Sequence, residues 1–179
     1  MDFVCASFYT FVHLLKAILN YSQTIMKTSF TVAEATQKME YYCSYQERCH
    51  KEVSEKLYSM NMIPEASDQI IVHLIENNFL NEERFACSFA RGKHRIKNWG
   101  KIRIVNELKF RNISRFNIEK ALKEISPDEY LETFHKISDN HWVQIREKNA
   151  LKKRKKFCDF LLRKGFESQI IYKKLKELE

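Results

Sequence analysis

ELKFRNISRFNIEKALKEI, residues 107–125, and FLLRKGFESQIIYKKLKEL, residues 160–178, align without a gap at an offset of 53. Leu108 falls opposite Leu161, Ile113 opposite Phe166, Ile118 opposite Ile171 and Leu122 opposite Leu175. Upstream, Ile104 stands opposite Phe157. Apolar residues at fixed places in two copies are the mark of a repeated helix–turn–helix unit whose seams recur. A third copy lies earlier. Val53 and Leu57 match Ile104 and Leu108, and Ile70 and Leu74 match Ile118 and Leu122. The offset drops from 51 to 48 between these pairs. The spacing therefore predicts three extra residues near Pro64, in the turn, where insertions are tolerated.

Each helix pair is preceded by another helical segment, at about 31–48, 82–97 and 127–149. The fold predicted is all-α, three tandem three-helix repeats in an elongated, curved array held by contacts between neighbours. The expected divisions are 26–80, 81–125 and 126–179. Local signals mark the helix ends. Pro64 and Glu65 open one helix, with Ile70, Ile71, Leu74 and Ile75 as its apolar side. Asn81 caps another, with Glu82 and Glu83 favoured by the dipole in its first turn. That helix is expected to bury Phe85, Phe89 and Ile96 along one side. Gly92 lies inside it at a cost of about 1 kcal/mol against Ala, which marks a close helix contact or an early end. Asn98-Trp99-Gly100 is a break. Ser126-Pro127-Asp128-Glu129 is a compact start signal, and Gly165 suits the left-handed residue after a helix.

Composition agrees. Only 3 Gly and 2 Pro occur in 179 residues, with 44% apolar and 30% charged residues. Sandwich and phosphate-loop α/β folds require more turn residues than this. Five cysteines, at 5, 43, 49, 87 and 158, include no C-x-x-C pair, so reduced thiols in a cytoplasm are expected, with no disulfide framework or metal site. The six histidines form no ligand set. No phosphate loop, nucleophile elbow or metal motif occurs, and the adjacent Glu82 and Glu83 diverge on a helix; neither enzyme nor cofactor is expected.

Residues 2–19 are apolar, but Asp2 stands where a secretory signal is basic, and His13 and Lys16 interrupt a run short for a membrane span. Met26 is the expected true start, with 1–25 a start-site artefact.

Charge is uneven. Residues 27–90 hold 6 Lys/Arg against 10 Asp/Glu, and residues 91–179 hold 24 against 12. The basic half implies an anionic partner or a solvated surface. Its densest part comprises Arg91, Lys93, Arg95, Lys97, Lys101, Arg103, Lys109, Arg111 and Arg115 against Glu107 alone. The spacing of Arg103, Glu107 and Arg111 by four also allows intrahelical pairs. The second candidate is Lys152, Lys153, Arg154, Lys155 and Lys156. Successive helical residues point about 100° apart, so these five cannot share one face. Trp99 is read as a packing anchor, and Tyr41, Tyr42 and Tyr45 as half-buried.

The stretch LNEERFACSFARGKHRIKNWGKIRIVNELKFRNIS (80–114) resembles the RecX regulators of the recombinase RecA. It shares with them the acidic start at Glu82 and Glu83, Arg84-Phe85-Ala86, Trp99-Gly100, Ile104 and Glu107-Leu108, closed by Ile113. EVSEKLYSMNMI and FLLRKGFESQIIYKKL resemble that family's first and third repeats, so the likeness covers roughly residues 36–178. Asn81 departs from the usual acid, and Asn112 from the usual turn glycine, although Asn reaches the left-handed conformation. The resemblance implies a monomeric, non-catalytic helical protein of the cytoplasm. It implies binding to the RecA filament with its single-stranded or duplex DNA, and restraint of strand exchange and ATP hydrolysis in DNA repair. The alternative is a general DNA-binding helical module using the basic half alone.

Overall fold

The computed structural model describes residues 30–178, so the Met26 reading lies outside the described residues. Nine α-helices and no strand occur among them. The first three are α1 (Val32–Tyr45), α2 (His50–Ser59) and α3 (Pro64–Glu76). The next are α4 (Glu82–Lys97), α5 (Lys101–Phe110) and α6 (Arg115–Lys123). The last are α7 (Pro127–Gln144), α8 (Ala150–Lys164) and α9 (Ser168–Leu178). They form three successive three-helix units.

Side chains at the helix starts explain the boundaries. Thr31 and Glu34 form a reciprocal capping box on α1. Asn81, Ser114, Ser126 and Asn149 each accept a bond from a backbone N–H of the first turn, a contribution of about 1 kcal/mol apiece. Pro64 and Pro127 occupy first-turn positions where no N–H is needed.

One turn joins the last two helices of every unit. Asn61, Asn112 and Gly165 hold φ of 59°, 60° and 89°, the left-handed region. The residue after each donates its N–H to a carbonyl five residues back: Met62 to Leu57, Ile113 to Leu108 and Phe166 to Leu161, at 3.1–3.2 Å. This six-to-one bond closes a Schellman turn and carries an apolar side chain inward. The turn is identical in the first unit, so the three extra residues expected there are absent from it. The added length is inside α3, which has 13 residues against 9 in α6.

Most repeat positions are core, although Leu122 and Leu175 are only half-buried against it. Val53, Leu57, Leu74, Ile104, Leu108, Phe157, Leu161 and Phe166 are all fully buried. The units do not, however, each own a core. One apolar cluster belongs to the first unit. A second runs without interruption through the other two and takes in Cys49 from the first. Tyr130, Phe134 and Phe166 stack within it at ring separations of 5.2–5.3 Å.

Several expectations need correction. Ile75 is exposed, because it follows Leu74 by about 100° and leaves the stripe. Ile96 is 75% exposed, lying beyond the part of α4 that the core covers. Tyr41 and Tyr45 point to solvent, and only Tyr42 is half-buried, beneath the Arg48 guanidinium. Gly92 neither ends α4 nor makes a close contact. α1 and α7 end several residues early, each in an extended residue, Gln46 and Ile145.

Candidate partner interface

The cations singled out in the sequence separate into those spent on the fold and those left outward. Arg91 pairs with Glu124 at 2.7 Å, and Arg95 grips Glu129 through two nitrogens at 2.7 and 3.3 Å. Arg111 pairs with Glu107 at 2.8 Å, as the four-residue spacing allows, and also reaches Glu52 of the first unit at 3.7 Å. Arg115 pairs with Glu119 on its own helix. Lys93 lies over the Phe89 and Trp99 rings, Lys101 over Tyr130 and Lys153 over Trp142. Lys156 pairs with Glu147. Arg154 is exposed on α8. Lys97, Lys109, Lys152 and Lys155 are exposed. Lys152 and Lys155 stand three apart on one face of α8, so the run divides around its helix as expected.

Arg103 does not join Glu107. Its guanidinium donates to the Arg163 carbonyl at 3.0 Å and stacks 4.1 Å from the centre of the Trp99 indole. Trp99 packs against the shared core and is the expected anchor.

This contact belongs to the joint between the second and third units. The end of α8 abuts the start of α5. Gly100 N–H donates to the Lys164 carbonyl at 2.8 Å, and Ile102 N–H to the Gly165 carbonyl at 3.1 Å. Orphan donors of one helix thus satisfy orphan acceptors of another, with their dipoles favourably opposed. A Cβ on Gly100 would collide with the Gly165 backbone, and one on Gly165 with Arg103. The phenol of Tyr130 accepts from Lys101 N–H and donates to Glu167, adding a third fastening. Burial and the acceptor bond to Glu167 push that phenol well above the ordinary tyrosine range.

The earlier joint is chemically different. At repeat positions where it sets Glu52 against Arg111, the later joint sets Arg103 against Lys164. An opposite-charge pair is replaced by two cations, with Lys97 as a third: the Lys164 ammonium donates to the Lys97 carbonyl at 2.9 Å. Burial, then the charges of Arg103 and Lys97, hold Lys164 below the ordinary lysine range. Lys97, Arg103 and Lys164 therefore gather positive charge on a rigid element, a setting that favours an anion. Sequence reasoning missed Lys164. The signal was its repeat match to Arg111 at the offset of 53.

Arg84 is the other omission. Its side chain binds Glu47 at 2.6 Å, and the Asn78 side chain and carbonyl at 3.0 Å each. It fastens the start of α4 to the first unit. No group of three or more His, Cys, Asp or Glu suited to a metal ion occurs among the described residues. No helix among them is long and apolar enough to cross a membrane.

Comparison with known proteins gives a consistent likeness. Residues 81–122 match the family model described as RecX, second three-helix domain. Regulatory protein RecX of Lactobacillus johnsonii is 32% identical over 120 residues, covering 63% of this chain and 44% of that protein. The protein of the same name from Enterococcus faecalis is 28% identical over 130 residues, covering 73% and 49%. The chain spans about half the length of the curated relatives it matches. Among solved structures, RecX from Lactobacillus salivarius superposes with a TM-score of 0.70 at 26% identity, over 82% of this chain and 96% of that one. A second regulatory protein RecX gives 0.73 at 24% identity, over 82% and 73%, a likeness of fold. The matched middle unit, these relatives and the shared fold make the chain similar, along most of its described length, to proteins named regulatory protein RecX.

Proposed function

We propose that the chain is a regulatory protein that binds the RecA filament on DNA and restrains its recombinase and ATPase activity, in the control of DNA repair. The observation that carries this reading is the sustained likeness to proteins named regulatory protein RecX, which extends well beyond the one matched domain. The joint between the second and third units supports it. Lys97, Arg103 and Lys164 crowd there, although the positions of Arg103 and Lys164 one unit earlier hold an ion pair, Glu52 with Arg111. A filament presents phosphate and acidic protein surface together, and attraction to it falls with salt. Lys109, Lys152 and Lys155 extend the positive surface. The action requires binding alone, with no catalytic step or cofactor, by a monomer in the cytoplasm.

A general DNA-binding module is the second reading, favoured by the outward Lys152 and Lys155 on one face of α8. Titration of the chain into DNA-dependent RecA ATP hydrolysis separates the two. A filament regulator suppresses hydrolysis at amounts well below those that coat the DNA. Suppression only once the DNA is saturated would sink the filament reading in favour of the second.

A further inference from the structure

Several lysines of the fold meet a carboxylate. Lys120, Lys156 and Lys174 lie 2.8–3.0 Å from Glu83, Glu147 and Asp139. Lys164 meets none among the described residues. Its ammonium donates to the Lys97 carbonyl at 2.9 Å and stands 5.7 Å from the centre of the Phe160 ring. The charges that act on it, Arg103 and Lys97, are both positive. The side chain is half-buried, so water offsets only part of that repulsion. Packing at the later joint therefore favours the neutral amine, which is the nucleophile in acyl transfer. A neutral amine keeps one N–H for the Lys97 carbonyl and has a lone pair free to attack.

We propose that Lys164 is a modification site, acylated by a small acyl phosphate that Arg103 and the Lys97 ammonium draw to the joint. The amine nitrogen attacks the acyl carbon. A C–N bond forms, the C–O bond to phosphate breaks, and phosphate leaves with the bonding pair. Of the two protons the ammonium gives up, one goes to the departing phosphate and one to water. Neighbouring cations select an anionic donor, because they gather it and stabilise the charge that develops on its phosphate.

The product suits the joint better than the lysine does. Its amide retains an N–H for the Lys97 carbonyl, the acyl methyl lies by the Phe160 ring, and one of three crowded cations is gone. Acylation thus removes interface charge without loosening the joint. The modification stands apart from the filament reading. Its consequence, weaker hold on the filament, rests on that reading.

Incubation of the chain with acetyl phosphate, followed by peptide mass spectrometry, tests the site. Lys164 is acetylated about fivefold faster than the exposed Lys152 and Lys155, and its lead disappears in urea. Lys97→Gln removes an exposed ammonium and keeps the backbone carbonyl. It slows Lys164 about threefold with acetyl phosphate, and less with the uncharged acetyl ester of N-hydroxysuccinimide. A Lys164 rate no higher than those of Lys152 and Lys155 overturns the site. Equal slowing with both donors overturns the acyl phosphate as its substrate. The chain acetylated at Lys164 keeps its thermal midpoint and binds a RecA filament on single-stranded DNA about fivefold more weakly. Undiminished binding overturns the regulatory consequence. An unmodified chain that fails to bind the filament overturns the filament reading, while the acetylation rates still decide the site.

Discussion

Gly100 and Gly165 meet backbone to backbone, where the first helical turn of α5 takes its hydrogen-bond acceptors from the end of α8. No side chain fits between them. Gly100→Ala forces the two helix ends apart, and Gly165→Ala adds a strained left-handed alanine at φ 89°. Each should lower unfolding free energy by about 1–3 kcal/mol, Gly165→Ala the more. Denaturant unfolding measures it. A loss within error of zero for both would show that the joint does not hold the units together.

Continuity of the second core predicts how damage spreads. Leu108→Ala should cost about 2–5 kcal/mol and lower hydrogen-exchange protection in α5 and α8 alike, since Leu108 and Leu161 belong to one cluster. Leu57→Ala, in the separate cluster of the first unit, should loosen α1–α3 and leave α8 protected. Equal loosening of α8 by both variants would mean that the two clusters unfold as one.

Lys164 links charge to stability with a definite sign. Its pKa is lowered, so the folded chain binds fewer protons at this site than the unfolded chain does. That penalty is fully present at neutral pH. It is relieved as pH rises from the lowered value toward the ordinary 10.5. Lys164→Met removes it, together with one hydrogen bond to the Lys97 carbonyl worth about 1 kcal/mol. The variant should therefore stay within about 1 kcal/mol of the parent at pH 7. The parent should gain on it as pH climbs through the window just below 10.5. At low salt, where the attraction is strongest, Lys164→Met should bind the filament more weakly than the parent. Unchanged binding would remove this cation from the interface.

Thiol chemistry gives an independent check on the first unit. Burial pushes the Cys43 thiol up to about 11, and raises Cys49 as well. Thiolate is the reactive form, so both should resist an aromatic disulfide reagent at pH 8 until the chain unfolds. Half-exposed Cys87 and Cys158 should react sooner. Rapid labelling of Cys43 in the folded chain would contradict its placement.

Much of the fold was legible because the repeat is written in buried positions. Leu108, Leu161 and Leu57 had to recur, since each closes the same turn through its carbonyl and fills the same seam. Caps at Asn81, Ser114 and Ser126 were readable for a related reason: they depend on residues three positions away. The interface was less legible. Arg91 and Arg95 look like any other part of a basic run, yet carboxylates distant in sequence claim them, and no local spacing reveals Glu124 or Glu129 as partners. Lys164 went unnoticed because its neighbours in space, Arg103 and Lys97, lie more than sixty residues away. The shared core escaped notice too, since periodicity assigns residues to a face and does not say which other face meets it.

The two joints answer to different solvents. Between the first and second units the fastenings are mostly ionic: Arg84 with Glu47, Arg111 with Glu52 and the Lys51 ammonium on the Phe110 carbonyl. Between the second and third they are peptide hydrogen bonds, the stacked His94 and Tyr130 rings and one ion pair, Arg95 with Glu129. Added electrolyte weakens the ion pairs, which carry more of the first joint, and leaves the peptide hydrogen bonds and ring contacts almost untouched. Ionic strength thus acts on the chain as a selective softener, loosening the first joint more than the second.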